Sequence, residues 1–134
     1  MLVIREYEEK ETQQIKDILI EEKINDLNLN QNIVVVVEDN IVLGVCKFEV
    51  KDSNSWLKYL VIKEDSRGEA LGDGLLRTVL NKLDLKGIKK IFYDGIDLYL
   101  MKKGFMKKSE DVLELNISEF FTGECSCSGK SNEV

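Results

Sequence analysis

A glycine-rich turn between an apolar strand and an amphipathic helix constrains the fold of this chain more than any other feature. The strand is the apolar run Leu57–Ile62, and the turn, called the glycine turn below, is Arg67–Gly74 with the sequence RGEALGDG. The first N–H groups of a helix have no partner within the helix, and glycine has no Cβ to keep a ligand at a distance. The turn therefore predicts an anion site, and the ligand it favours is a cofactor that carries a diphosphate.

Size and charge place the chain among single-domain globular proteins. It has 134 residues, of which 43% are hydrophobic and 33% charged, and its formal net charge is −6. We predict one folded domain over residues 1–118 and a flexible tail over residues 119–134. The acidic balance argues against nucleic-acid binding, and the lack of a long apolar run or signal peptide argues against a membrane. We therefore expect a cytoplasmic protein.

The side chains available for chemistry exclude several mechanisms. The chain has no histidine and three cysteines, Cys46, Cys125 and Cys127. A histidine-dependent triad cannot be built, and two thiols in the tail are too few for a structural zinc site. Cys46 lies within a strand pattern and is interpreted as a core residue. We predict no metal site, so any acid or base is a carboxylate, a lysine, a tyrosine, a cysteine or water.

Hydrophobic periodicity predicts a mixed α/β fold with helices packed on one sheet. The long helix after the glycine turn implies a parallel crossover between the strands on either side of it. Gly87 and Gly104 are expected to end helices, and Asp39-Asn40 to form a tight turn. The predicted order is strand 2–7, helix 9–24, strands 33–37, 41–50 and 56–63, a helix from Leu71, strand 89–93, helix 97–103, and strands 105–108 and 112–117.

Other nucleotide folds that use a glycine turn fit the sequence less well. A P-loop needs a lysine followed by serine or threonine, whereas this turn continues Gly72-Asp73-Gly74-Leu75. A dinucleotide-binding fold has its glycines after the first strand of a βαβ unit, and here three meander strands precede the turn.

The chain resembles the GNAT superfamily of acetyl-CoA-dependent N-acyltransferases. The family signature Gln/Arg-x-x-Gly-x-Gly/Ala follows the fourth strand, and the matching run here is Arg67–Gly72. A second similarity is Lys103-Gly104-Phe105, which resembles the Gly-Phe step into the family's sixth strand. The element order agrees over about residues 1–118, so the resemblance implies the GNAT acyltransferase fold.

The resemblance implies coenzyme A as the cofactor and direct transfer of an acetyl group from acetyl-CoA to a primary amine. The pantetheine arm is expected beside Leu60, Val61 and Ile62, where it pairs with the strand as an additional strand would. A backbone N–H of that strand is expected to stabilise the charge on the thioester oxygen. The residues expected around the pyrophosphate are Arg67, Gly68, Glu69, Ala70, Leu71, Gly72 and Asp73.

Two departures from the family pattern concern chemistry. Ala70 replaces the second signature glycine; the change is mild if its backbone is helical and lowers cofactor affinity if it is not. The family tyrosine that protonates the leaving thiolate corresponds to Leu100, and Tyr99 is one residue earlier. Tyr99 and Tyr93 are therefore the candidate acids, and the alternatives are that another group serves or that no acid exists. An ordinary core or rim tyrosine would fit each of the two positions as well. Candidate bases are Glu38, Glu49 and Asp94.

The acceptor side is shorter than the family pattern. Residues 8–32 have room for one helix and a loop, where the family usually has two helices. The acceptor groove is therefore expected to be open or completed by a second subunit, which leaves monomer and homodimer both open. The acceptor is a small-molecule, peptide or protein amine. The alternative function is a GNAT-like coenzyme A-binding module that regulates or interacts without turnover.

Overall fold

The computed structural model describes most of the chain. The described residues are 1–26, 29, 32–67 and 70–123. Predictions that fall outside them concern Leu27, most of the 26–31 loop, Gly68, Glu69, Cys125, Cys127 and the rest of residues 124–134.

The strands form one mixed seven-stranded sheet in the order β1-β2-β3-β4-β5-β7-β6. Each predicted strand is found within two residues of its predicted ends, so the mixed α/β fold class is confirmed. The parallel pairing of β4 with β5 confirms the predicted crossover. The strands are β1 (Leu2–Glu6), β2 (Ile33–Glu38), β3 (Ile41–Lys51), β4 (Asn54–Ile62), β5 (Lys90–Asp94), β6 (Met106–Ser109) and β7 (Val112–Asn116).

The described residues form four α-helices and two short 3₁₀ turns. The predicted helix 9–24 is a 3₁₀ turn followed by α1, which ends earlier than predicted because Lys23 adopts a left-handed conformation with φ 60°. Gly87 and Gly104 follow α2 and α3 with φ values of 79° and 114°, which confirms their predicted role. The helices are α1 (Thr12–Glu21), α2 (Leu71–Leu85), α3 (Leu98–Lys102) and α4 (Ile117–Gly123).

The chain divides into two compact units, and β4 and α2 each contribute to both. The first unit comprises Met1–Glu49 and Lys58–Asn81, and the second comprises Val50–Leu57 and Lys82–Val134. The prediction of one folded domain over residues 1–118 stays a prediction.

The core of the first unit lies between α1 and the sheet. Residues 33–37 of β2 are buried throughout, as expected for β-branched residues in a strand covered on both faces. On one face the apolar stripe of α1, formed by Ile15, Ile18 and Leu19, packs against residues of β2, β3 and β4. Cys46 is fully buried in β3, which confirms its interpretation as a core residue. The predicted stripe of α2 is buried as well: Leu71, Leu75, Leu76, Val79, Leu80 and Leu83.

The second unit contains the antiparallel strands β5, β7 and β6. Leu113 and Leu115 of β7 are buried, and Phe105 is buried after the step that Gly104 makes out of α3.

At the hairpin between β2 and β3, in the first unit, Asp39 and Asn40 have φ values of 52° and 70°. Two successive left-handed residues are the geometry of a type I′ turn, so the predicted tight turn is confirmed.

Helix α4 is a feature that the sequence analysis missed. The tail was expected from residue 119, but the helix continues to Gly123. The Asn116 side chain accepts a hydrogen bond from the Glu119 amide at 3.0 Å, which is the N-cap arrangement. The signal was present in the sequence as Asn116 followed three residues later by Glu119, a pattern that starts helices.

The described ranges contain neither a membrane-spanning helix nor a cluster of metal-binding side chains. No helix within residues 1–26, 32–67 or 70–123 is long and apolar enough to cross a bilayer. In the same part of the chain, no group of three or more cysteine, aspartate or glutamate side chains could hold a metal ion.

Candidate functional site

The glycine turn follows β4 in the first unit and leads into α2. A 3₁₀ turn at Glu64–Ser66 leaves the strand, and α2 begins at Leu71. The carbonyl of Ala70 accepts a helical hydrogen bond from the Gly74 amide at 3.2 Å. The amides of residues 71–73 belong to the first turn of α2, next to the residues that precede the helix. Helix α2 supplies this end of the predicted anion site, and Gly68 and Glu69 lie outside the described residues.

Ala70 adopts a left-handed backbone conformation, with φ 62°. Alanine at such a position costs about 1–2 kcal/mol because its Cβ crowds the following carbonyl oxygen. The sequence left open whether the backbone of Ala70 is helical or not, and the structure shows the non-helical, strained conformation. The turn thus keeps a shape that glycine adopts at little cost, although it carries a methyl group.

Two glycines, one at the end of this turn and one in β3, allow close packing around it. A Cβ on Gly74 would lie 2.6 Å from Cδ1 of Ile4, so this glycine lets α2 approach β1. A Cβ on Gly44 would lie 2.5 Å from Cδ1 of Ile62 and 3.0 Å from the carbonyl oxygen of Val61. Gly44 therefore fixes the distance between β3 and the last residues of β4, which precede the turn.

Arg67 is held by two contacts on the surface of the first unit. Its Nε donates to the carbonyl of Ile62 at 2.9 Å, and its guanidinium lies 2.8 Å from the carboxylate of Glu22 at the end of α1. Its side chain is 49% exposed and that of Glu22 is 32% exposed. We call Glu22 and Arg67 the surface pair. Sequence reasoning proposed Arg67 for the site but did not identify its partner.

The predicted pantetheine strand has one face in the core and one face partly open. Val61 is buried against α1, whereas Leu60 and Ile62 are half-buried on the other face. The parallel ladder of β4 with β5 pairs Ser55–Leu57 with Ile91–Tyr93, and β4 continues to Ile62.

A buried polar network beside this strand was missed by the sequence analysis. The ammonium of Lys47 lies 3.1 and 2.9 Å from the two carboxylate oxygens of Asp26, and the hydroxyl of Tyr59 donates to Asp26 at 2.7 Å. The side chains of Lys47 and Asp26 are only 10% and 15% exposed. We call these three residues the buried network. Its signal in the sequence was a lysine within the apolar run Val45–Phe48, because a charge in a buried strand needs a partner.

The environment of Tyr59 favours its neutral form. Burial first, and then the hydrogen bond to Asp26 and its charge, raise the pKa of the phenol far above its usual value. Tyr59 therefore keeps its proton and donates a hydrogen bond to Asp26.

Solved structures with the same arrangement of elements are acetyltransferases. A GNAT-family acetyltransferase from Staphylococcus aureus Mu50 is 15% identical, with a TM-score of 0.74 over 87% of this chain and 99% of that protein. The PaiA N-acetyltransferase of Thermoplasma acidophilum, in complex with coenzyme A, is 12% identical, with a TM-score of 0.69 over 87% and 99%. A GNAT-family acetyltransferase from Brucella melitensis, in complex with acetyl-CoA, is 20% identical, with a TM-score of 0.67 over 87% and 88%. The chain has the fold of the GNAT acetyltransferases. No protein-family model matches the sequence, and no curated protein matches it either.

The two candidate tyrosines of this GNAT fold belong to the second unit. Tyr99 is half-buried on α3, and the ammonium of Lys103 lies 5.5 Å from the centroid of its ring. Leu100, at the position of the family tyrosine, is only 2% exposed and serves the core. Tyr93 is half-buried on β5, and burial followed by the charges of Asp97 and Asp94 raises its pKa. Both catalytic assignments stay predictions.

The carboxylates named as candidate bases all lie on the surface. Glu38, Glu49 and Asp94 are exposed, at the end of β2, within β3 and at the end of β5. A separate groove of about 580 Å³ lies in the second unit between β6, β7 and α4, and it is lined in part by Lys90, Lys103 and Lys107. None of the predicted catalytic or cofactor-binding residues is among the residues that line this groove.

Proposed function

We propose that this protein is an acetyl-CoA-dependent N-acyltransferase, which transfers an acetyl group to a primary amine of a small molecule, peptide or protein. The observation that carries the proposal is the left-handed Ala70, which directly precedes α2 in the connection that follows β4 of a GNAT fold. A left-handed residue beside helical ones turns successive N–H groups towards one point, and such a concavity binds anions.

The residues of the turn fit a pyrophosphate. The amides of Leu71, Gly72 and Asp73 would hold it together with the dipole of a fifteen-residue helix. The Asp73 carboxylate stabilises the helix from its first turn but adds no attraction for a phosphate. Two proteins of the same fold, from Thermoplasma acidophilum and Brucella melitensis, have structures in complex with coenzyme A and acetyl-CoA. This likeness supports coenzyme A as the ligand.

The last residues of β4 would hold the pantetheine arm. Main-chain groups of Leu60, Val61 and Ile62 would pair with its amides, in the way that a peptide adds to a sheet. Acetyl-CoA supplies the activated acyl group when bound. A backbone N–H of this strand would orient its thioester oxygen and withdraw charge from it, since a fixed donor costs no reorganisation during the reaction.

The leaving thiolate needs a proton donor. Leu100 cannot serve, so Tyr99 and Tyr93 remain the candidates. The raised pKa of Tyr93 leaves its phenol protonated at neutral pH and also makes it a weaker acid than an exposed tyrosine. A water molecule bound by one of the surface carboxylates would take the proton of the amine. We expect the enzyme to work in the cytoplasm as a monomer or homodimer.

Ligand binding tests the first half of the proposal. Coenzyme A and acetyl-CoA are expected to bind saturably in calorimetry and to raise the melting temperature. Pantetheine, which lacks the pyrophosphate, serves as the matched ligand and is expected to bind far more weakly. No binding of coenzyme A at millimolar concentration would contradict the proposal.

Turnover tests the second half. Release of the coenzyme A thiol is followed with acetyl-CoA and a panel of small amines and lysine peptides. Tyr99→Phe and Tyr93→Phe are then compared, and loss of kcat in one of them alone would identify the acid. Saturable binding without an acetylated product across the panel would instead favour the coenzyme A-binding module.

A further inference from the structure

Glu22 stands where an acidic side chain is unfavourable for its own helix. It is the C-cap residue of α1, and the last turn of that helix contains no basic residue. The C-terminus of a helix carries partial negative charge, so a carboxylate there is repelled. A residue that is unfavourable for its own helix is expected to make a compensating contact elsewhere in the structure.

The backbone around Glu22 is fixed by the way α1 ends. Lys23 is left-handed with φ 60°, and the amide of Ile24 donates to the carbonyl of Leu19 at 2.8 Å. These are the features of a helix end closed by a Schellman motif. The position from which the carboxylate of Glu22 reaches Arg67 is therefore well defined.

Arg67 connects this helix end to the glycine turn. Its guanidinium donates to the carboxylate of Glu22 at 2.8 Å, while its Nε–H holds the last carbonyl of β4, that of Ile62, at 2.9 Å. The second contact spans the 3₁₀ segment Glu64–Ser66, because Ile62 is the last residue of β4 before it and Arg67 follows it directly. Other charged groups nearby line a cavity of about 270 Å³ beside α1 and the end of β4: Asp17, Glu21 and Lys63.

We propose that Glu22 is a positioning residue for the glycine turn and acts through Arg67. With both contacts made, the guanidinium sets the direction in which the chain leaves β4 and approaches α2. The amides of Leu71, Gly72 and Asp73 at the start of α2 are then oriented before the ligand arrives, and less ordering remains to be done on binding. This inference rests on the proposed binding of coenzyme A at the glycine turn.

A matched pair of variants tests the role of Glu22. Glu22→Ala and Glu21→Ala remove the same charge from adjacent positions at the end of one helix. Their through-space effect on a phosphate is similar, and it favours tighter binding in both. We expect the Kd for coenzyme A to rise by about threefold to fivefold in Glu22→Ala, the range for loss of one exposed ion pair, and not to rise in Glu21→Ala. The melting temperatures of the two unliganded variants are expected to differ only slightly, because one exposed ion pair contributes about 0–1 kcal/mol to stability.

A double-mutant cycle tests whether the effect passes through Arg67. In an Arg67→Ala background, the further change Glu22→Ala is expected not to raise the Kd, because the partner of Glu22 is already gone. Equal affinities in Glu22→Ala and Glu21→Ala, or additive effects in the cycle, would overturn the inference while wild-type binding of coenzyme A stands. Absence of saturable binding by the wild-type protein would overturn the proposed function as well.

Discussion

The surface pair and the buried network tie the same stretch of chain to the sheet in two different environments. Glu22 and Asp26 are four residues apart at the end of α1, and each carboxylate meets a cation from β3 or from the turn after β4. The surface pair is 32% and 49% exposed, whereas the ion pair of the buried network is 10% and 15% exposed. Each tie contains an ion pair between a carboxylate and a cation, so the two differ chiefly in their exposure to solvent.

Solvent decides what each tie contributes. Water and salt screen the surface pair, so its net contribution to stability is about 0–1 kcal/mol, and its value lies in orientation. The buried network has lost its hydration, so the loss of one partner leaves the other charge without compensation. The buried network should therefore dominate stability, and the surface pair should chiefly affect ligand affinity.

The largest effect is expected at Lys47. Lys47→Met keeps an unbranched chain in β3 but removes the charge that compensates Asp26. Such a change costs about 3 kcal/mol or more in the free energy of unfolding. Urea denaturation measures this as a lower midpoint at unchanged slope. Lys58→Met, at an exposed position of β4, is the control and is expected to change stability by less than about 0.5 kcal/mol. Similar losses in both variants would contradict the distinction between the two ties.

Tyr59 is expected to give the next largest effect. Tyr59→Phe keeps the ring in the core and removes the hydroxyl that donates to Asp26. A hydrogen bond to a charged acceptor contributes about 1.5–3 kcal/mol. We expect a loss of about 1.5 kcal/mol in urea denaturation, smaller than the loss in Lys47→Met because the ammonium still compensates the carboxylate. A loss larger than that of Lys47→Met would reverse the order and show that the hydroxyl is the main partner of Asp26.

The raised pKa of Tyr59 also predicts how stability depends on pH. In the unfolded chain the phenol loses its proton near pH 10, whereas the folded protein retains it because burial and Asp26 raise the pKa. The stabilisation by this group is thus complete below about pH 10 and is lost as the pH rises above it. Tyr59→Phe should show a shallower fall in melting temperature between about pH 9 and 11 than the wild-type protein. Parallel curves would mean that another group governs alkaline unfolding.

The sequence predicted the fold because the fold depends on local periodicity. The β-branched run of β2 and the leucine stripe of α2 each identify an element without reference to any other. The pair Asp39-Asn40 and the glycines Gly87 and Gly104 then locate turns, because few residues tolerate positive φ. Helix α4 was missed because it has only seven residues, and its N-cap pattern is short.

The sequence could locate the glycine turn but not its supports. Arg67 and Ala70 were found from a motif within a single segment. Glu22 and Asp26 meet partners 45 and 21 residues away, and nothing in local periodicity connects such positions. Only the strained φ of Ala70 distinguishes the two cases that the motif left open, and φ is a property of the folded chain.

Ala70 offers a smaller effect of opposite sign. Ala70→Gly relieves a left-handed alanine that costs about 1–2 kcal/mol, but glycine also gains about 0.4–1 kcal/mol of freedom in the unfolded chain. We expect a net gain of about 0.7 kcal/mol, measured as a higher melting temperature, and coenzyme A binding at least as tight as in the wild-type protein. The substitution Gly74→Ala is the opposite case: its new Cβ would lie 2.6 Å from Cδ1 of Ile4, so it should destabilise. A loss of stability in Ala70→Gly would show that the methyl group packs usefully.

The smallest effect on stability is expected from the surface pair, and salt should remove it. Glu22→Ala is expected to cost about 0.5 kcal/mol at low ionic strength. In 1 M NaCl, where the screening length is about 3 Å, the difference from wild type should vanish. The loss in Lys47→Met should persist under the same conditions, because ions do not enter a site in which both charged side chains are largely covered. Urea denaturation of the three proteins at both salt concentrations makes this comparison. If the loss of stability in Glu22→Ala did not depend on salt, the surface pair would be a determinant of stability, like the buried network, and not of orientation alone.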